Sequence, residues 1–243
     1  LESIVSHKHQ KAAYCGITWF DSDAYPKEYR GQLYMGNIHG NCINSDSVAR
    51  DKSSYRGSPR PDFLSVDDAW FMPVAQKTGP DGCLYVLDWY DRYHCYQDAN
   101  RDPKGIDRLK GRLYRIVHSS TPRYRGLNLQ SASSKDLIAR LADPNVLIRR
   151  LSQRLLTERL ESSVPPLLAK MVMDSSVSRK GRLHALWTMI SMRNLDHRFL
   201  LGLTQHADPT FRAWAVRAAG DSATVAESLR RRIENMASDT SPE

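Results

Sequence analysis

The chain has 243 residues, of which 41% are hydrophobic, 26% charged and 9% aromatic. That is enough apolar side chain to bury a core, which excludes a disordered polypeptide, and enough length for one large domain or two ordinary ones. No apolar run approaches the roughly 18 residues that a membrane span needs, and no signal-peptide pattern is present.

The net charge of +8 is uneven. Residues 1–120 hold 16 Lys+Arg against 15 Asp+Glu, whereas residues 121–243 hold 19 against 12. A basic half can attract nucleic acid. Here the arginines are spread through helical periodicity and no nucleic-acid motif accompanies them, so a solvated face of Arg-rich helices is expected and no nucleic-acid partner.

In chain order, the first half reads as β structure. Turn signals recur at Tyr29-Arg30-Gly31, Gly36-Asn37, His39-Gly40-Asn41, Gly79-Pro80-Asp81-Gly82 and Lys110-Gly111. Short apolar stretches rich in β-branched and aromatic residues lie between them. A turn glycine followed by a Leu-Tyr strand start occurs three times, at Gly31 with Leu33 and Tyr34, Gly82 with Leu84 and Tyr85, and Gly111 with Leu113 and Tyr114. Strand alternation predicts Leu33, Leu84 and Leu113 on one face and the tyrosines on the other. The first two copies are 51 residues apart, the length of a four-stranded propeller blade. The third follows 29 residues later, too soon for another blade, and is expected to pair with strand 84–89 across the polar loop 90–110.

A short linker, HSSTPRYRGLNLQSASS (118–134), leads into a helical and repetitive second half. Asp143, Asp174, Asp208 and Asp239 each follow an apolar helix end, at spacings of 31, 34 and 31. Leu147, Leu151 and Leu155 recur at helical spacing after the first aspartate, Leu183, Leu186, Trp187 and Ile190 after the second, and Phe211, Ala215 and Ala218 after the third. Pro165 and Pro166 suit the first turn of a helix, and an Asp-Pro pair is expected to stop one helix and cap the next. Units of this kind bury their apolar stripes by stacking into a solenoid. The Asp-Pro turn followed by Arg149 or Arg212 resembles a short HEAT-type repeat. SDTSPE at the end reads as the turn of a further unit, and the chain opens on Leu1, so both ends are expected to be cut.

Four cysteines, Cys15, Cys42, Cys83 and Cys95, occur without any C-x-x-C. This excludes zinc-ribbon, thioredoxin and C-x-x-C-H haem signatures. One or two disulfides remain open in an exported protein, in any pairing.

The candidate site residues are few. His39 sits in the turn GNIHGNCIN, where it can bind a ligand or simply belong to a hairpin whose Asn and Gly residues tolerate left-handed backbone. Asp81 is explained by the G-P-D-G turn. Asp88 and Asp91 stand near a strand end, where aspartate is disfavoured. They either tether neighbouring backbone or serve a metal or substrate, with His94 as an acid–base partner or a further ligand. Asp67 and Asp68 beside Trp70 suit either a sugar-cleft mouth or a turn over a packed tryptophan. Trp187 and Trp214 lie on apolar stripes and are expected to pack.

EYRGQLYMGNIHGN (28–41), PDFL (61–64), GPDGCLYVLDWYD (79–91) and GRLYRI (111–116), followed by HEAT-like repeats, resemble the PVC-type haem-binding CxxCH proteins, a family of membrane-bound dehydrogenases. The resemblance runs the length of the chain. It implies a longer exported bacterial protein, periplasmic or in the cell envelope. Such a protein would carry a β-propeller similar to that of the sorbosone and glucose dehydrogenases, then a HEAT-like array, then a c-type cytochrome domain. Residues 1–118 are then expected to be the terminal blades of a β-propeller, 119–134 a linker, and 135–243 an α-solenoid of short HEAT-like repeats. The function implied is oxidation of a sugar or alcohol. Pyrroloquinoline quinone and calcium would belong to the complete propeller, and haem c to a domain outside this chain, which lacks C-x-x-C-H. His39, Asp88, Asp91 and His94 are the catalytic candidates, by their position in loops and not by a matched motif. The alternative is a non-catalytic scaffold that binds glycan or protein, the latter through the solenoid.

Overall fold

The structure is a computed structural model that describes residues 4–10, 13–93, 100–105, 107, 109–122, 126–193, 195–222 and 224–241. The chain divides into two compact units, residues 1–126 with 144–147, and residues 127–143 with 148–243.

The β-branched and aromatic stretches of the first unit form seven strands: β1 (Tyr14–Phe20), β2 (Gln32–Asn37), β3 (Cys42–Asp51), β4 (Ser54–Ser65), β5 (Pro73–Thr78), β6 (Leu84–Asp88) and β7 (Arg112–Ile116). They make two open antiparallel sheets, β1-β2-β3-β4 and β5-β6-β7. Between them lies a core of Phe20, Tyr25, Tyr34, Ile43, Phe71, Leu84 and Val86. Each such side chain contributes about 1.5–3 kcal/mol when fully buried. The Tyr25 hydroxyl donates to Ile116 O at 2.6 Å and accepts from Leu84 N at 2.7 Å, so this buried ring carries no unmet polar atom.

Terminal propeller blades are not formed. Neither sheet closes on itself or on a ring of further sheets. The 51-residue interval that suggested a blade repeat is filled by the long hairpin of β3 and β4, 10 and 12 residues, and by β5. An up-and-down meander looks the same in sequence whether it stands free or inside a propeller, because closure is a global property. The three Leu-Tyr strands are β2, β6 and β7, and the third does pair with the second. Their leucines do not share one face, however. The register sets Leu113 opposite Leu87, both exposed, while Leu84 lies opposite Ile116 and is buried. In β2 it is Tyr34, not Leu33, that enters the core.

The second half is helical, as its periodicity implied. Its helices are α1 (Ser134–Arg140), α2 (Val146–Arg159), α3 (Val164–Met173), α4 (Arg179–Ser191), α5 (His197–Leu203), α6 (Pro209–Gly220) and α7 (Glu227–Asn235). Helix α3 packs on α4 and α5 on α6. Their shared core includes Leu137, Leu141, Leu156, Leu168, Leu186, Leu203, Phe211 and Ala215. Pro165 and Pro166 stand in the first turn of α3. Asp208 caps α6 by accepting from Thr210 N at 3.0 Å. At α2 Asn145 Oδ1 accepts from Leu147 N at 2.9 Å. Trp187 and Trp214 pack partly buried against the core, with ring centroids 5.7 Å apart. No described helix is long and apolar enough to cross a membrane.

Candidate metal centre

Of the catalytic candidates, Asp88 is the most buried, with no exposed surface at the end of β6. Its Oδ1 accepts from Met72 N at 2.7 Å and Tyr90 N at 2.9 Å. Its Oδ2 accepts from Arg112 Nε at 2.6 Å. Arg112 also donates to Asp68 Oδ2 at 2.9 Å and lies 4.2 Å over the Tyr90 ring, on which Trp70 stacks. Two backbone amides and a guanidinium occupy both oxygens, so Asp88 ties β6 to β7 and to the 68–72 turn. Asp68 is engaged in the same tie; the Trp70 amide and Arg112 hold its carboxyl below the usual range. Asp91 accepts from Tyr93 N at 3.0 Å, an Asx-type turn that starts the following loop. A cavity of about 590 Å³ opens beside Asp88, Trp89, Tyr90, Asp91 and Leu109. His39 is half-buried in the β2–β3 turn, on the other sheet. His94 lies outside the described residues. Asp81 is a turn residue, as its motif implied. It accepts from Cys83 N at 3.1 Å and pairs with Arg115.

The histidines and acids that do converge are others: His7, His9 and Asp46. One ligand atom from each lies within 4.8 Å of those of the other two. Among the described residues this is the only such group of three or more His, Cys, Asp or Glu.

Local chain geometry explains the convergence. Residues 4–10 run extended beside the edge of sheet β1-β2-β3-β4. Val5 forms a parallel bridge with Gly57 of β4, and Gly57 N donates to Ile4 O at 2.8 Å. Residues two apart on an extended chain face the same way, so His7 and His9 reach together over the sheet, their rings edge to face at 5.1 Å. Gly57 leaves room for this crossing, because a Cβ there would stand 3.1 Å from Val5 Cγ2 and 3.8 Å from Asp46 Oδ2. The far end of the segment is fastened at Gln10. Its carbonyl accepts from Asn37 Nδ2 at 2.6 Å and its amide donates to Asp62 Oδ2 at 2.8 Å. Asn44, two residues before Asp46 on β3, completes this network by donating to Asp62 Oδ1 at 2.7 Å.

Asp46 is only 2% exposed. Its Oδ1 lies 2.8 Å from His9 Nε2 and 3.1 Å from His7 Nε2. Among the described residues its Oδ2 accepts no hydrogen bond, and no Arg or Lys pairs with the carboxylate. His7 Nδ1 is also buried without a partner. A buried carboxylate is costly unless paired, and here two imidazoles converge on one of its oxygens. Two ligand atoms about 2.1 Å from an ion and at right angles to each other stand ~3 Å apart. The two N···O separations, which are hydrogen-bond lengths with no ion present, fit adjacent positions around a cation with little adjustment. Two imidazole nitrogens and one carboxylate oxygen suit divalent zinc, iron, cobalt or nickel, and leave further positions for water or a substrate oxygen. Calcium or magnesium would require a shell of oxygens that this group does not supply.

Sequence reading missed this site. The His-x-His of SHKHQ was visible at strand period, but Asp46 is 37 residues further on, inside an ordinary strand pattern. The quinone and calcium of the resembled dehydrogenases were expected on a propeller, and with two open sheets in its place no residues here are assigned to them. Cys15, Cys42 and Cys83 are free thiols.

No curated protein and no solved structure matches the chain. Residues 2–120, which include all three converging side chains, match the family model described as Domain of unknown function (DUF7133).

Proposed function

We propose that the β unit is a binding module for one divalent transition-metal ion, held by His7, His9 and Asp46. The observation that carries this reading is the approach of two imidazole nitrogens to one oxygen of a buried carboxylate. An ion bound there would neutralise Asp46 and act as a Lewis acid on a ligand at its open positions. The protein's own contribution is to hold the three donors in place through the Gly57 crossing and the Gln10–Asp62–Asn44 network.

Isothermal titration of the full chain with zinc tests the proposal. One ion per chain is expected, with calcium giving no heat. Asp46→Asn and His9→Ala should each weaken zinc binding by more than about 100-fold. Equal affinity in wild type and both variants would overturn it.

For the longer protein we propose oxidoreductase chemistry on a sugar or alcohol in the cell envelope. Its support is the order of the EYRGQLYMGNIHGN, GPDGCLYVLDWYD and GRLYRI motifs, and no step of that chemistry is assigned to residues of this chain. Dye reduction by the longer protein with sugars or alcohols, abolished by Asp46→Asn, would tie the two proposals together. Reduction unaffected by that substitution would separate them.

A further inference from the structure

The donors of the metal centre come from two pieces of chain. Asp46 belongs to β3, an inner strand of its sheet. His7 and His9 belong to residues 4–10, which cross that sheet without becoming one of its strands. Val5 pairs with Gly57 in an isolated bridge, not in a ladder. Burial alternates along the segment. Val5, His7 and His9 are half-buried, while Ile4, Ser6, Lys8 and Gln10 are exposed. Val5 is therefore the one apolar side chain turned inward, and it faces Gly57, which has no side chain to pack against it. The other two inward side chains are the imidazoles, and Asp46 is the partner they share.

A segment docked in this way has little apolar surface to hold it down. Ordering each of its residues costs conformational entropy, and a single half-buried valine offsets little of that cost. Its two ends are tied by polar contacts, Gly57 N to Ile4 O at 2.8 Å at one and the Gln10 contacts with Asn37 and Asp62 at the other. Between these ties, the hold on the sheet is what His7 and His9 find at Asp46.

We propose that residues 4–10 are a strap whose closure over β3 and β4 is set by metal occupancy. The inference rests on the metal reading above and adds regulation to it. Only the closed strap brings His7, His9 and Asp46 together, so an ion that takes all three binds the closed form and draws the equilibrium toward it. At a free ion concentration ~100 times the dissociation constant, opening becomes about 100-fold rarer. Without the ion the middle of the strap keeps two hydrogen bonds to one carboxylate oxygen, and it lifts more often. Lifting takes Ile4 O away from Gly57 N and bares the edge strand β4, whose unpaired backbone groups are then open to another extended segment.

Lys8, exposed between the two histidines, supplies the probe. A lysine-specific protease cuts chain that has come away from the fold, so the rate of cleavage after Lys8 reports strap opening. The full chain is digested with zinc, at a concentration shown by isothermal titration to saturate it, and with a zinc chelator. Cleavage is mapped by mass spectrometry. Lys104, exposed in the connection between β6 and β7 of the other sheet, is the reference for protease activity. Zinc is expected to slow the Lys8 cut at least about tenfold against the Lys104 cut and to protect the Gly57 amide from hydrogen exchange. His9→Ala, a change on the strap and outside the sheet, and Asp46→Asn should each be cut after Lys8 at one rate with and without zinc. Zinc binding that leaves the Lys8 cut unchanged overturns the strap and spares the metal reading, whereas absence of zinc binding overturns both. Protection by zinc that persists in the two variants also overturns the strap.

Discussion

Asp88 and Arg112 face each other directly across the β6–β7 pair and are joined at 2.6 Å, the acid fully buried and the arginine about one-third exposed. Removing the acid orphans Met72 N, Tyr90 N and one face of the guanidinium together. We expect Asp88→Ala to destabilise the β unit by about 3–5 kcal/mol, read from urea unfolding followed by tryptophan fluorescence. Asp88→Asn should lose less, because an amide still accepts from the two backbone donors. An Asp88→Ala protein as stable as wild type would show that the tie is dispensable.

Zinc should stabilise the folded β unit. At a free concentration ~100 times its dissociation constant the gain is about 2.7 kcal/mol, or roughly 5–10 °C in Tm for a chain of this size. Differential scanning calorimetry with and without chelator measures it. In Asp46→Asn the chelator should make no difference.

The pH dependence of the helical unit has a definite sign. The Arg179 guanidinium beside Asp208 outweighs the partial burial of that carboxyl and, with the Thr210 amide, holds it below the usual carboxylate range. The unfolded chain therefore takes up the proton first as acid is added. The stabilisation is complete above the ordinary value of about 4, shrinks as pH falls below it, and is gone below the folded value. Asp208→Asn should lower Tm at neutral pH and flatten the fall of Tm between pH ~5 and ~3. Parallel acid profiles in the two proteins would refute the assignment.

Gly36 lies in β2, close against β5 of the other sheet. A Cβ there would run into Pro73 O, the Gln76 side-chain amide and Cys15 O. Two of these three are backbone atoms and cannot swing away, so Gly36→Ala should cost about 1–3 kcal/mol or more. The urea midpoint should fall with it, while Gly202→Ala, with open space around its Cβ position, should not shift it downward.

Thiol reactivity should separate the cysteines. Burial, with the Asp62 carboxylate adding to it, pushes the Cys42 thiol up to about 11. Burial and Asp81 also raise Cys83. Since the thiolate is the nucleophile, iodoacetamide at mildly alkaline pH should label the partly exposed Cys15 before Cys42 and Cys83. Peptide mapping by mass spectrometry after short exposure reads the order, and early labelling of Cys42 would contradict it.

How far the sequence could be read depended on the range of the interaction. The Leu-Tyr strand starts and the aspartates between helices are local signals that fall at element boundaries, whereas Gly36, read as a turn residue, lies inside β2. The pairing of β6 with β7 was within reach because too few residues separate them for a further blade. The closure of the sheets was not, because a meander pattern carries no information about its far neighbours. The same limit hid the convergence of His7, His9 and Asp46. His7 and His9 announce themselves as a pair, but Asp46 differs from Asp51 in the same strand only in what folds over it. Asp88 is the converse case: an acid out of place in a strand left two readings open, a backbone tether or a site, and its oxygens accept from two amides and a guanidinium.

The arginine–aspartate contacts of the helical unit run in one direction. Arg179 at the start of α4 grips Asp208 ahead of α6, and Arg212 in α6 grips Asp239 beyond α7 with two bonds, at 2.6 and 2.9 Å. Each helix pair thus clasps the turn of the next. Each of these arginines reaches about thirty residues forward along the sequence, so the two contacts carry a charge from one helix to the turn of a later one and leave its own turn to other partners.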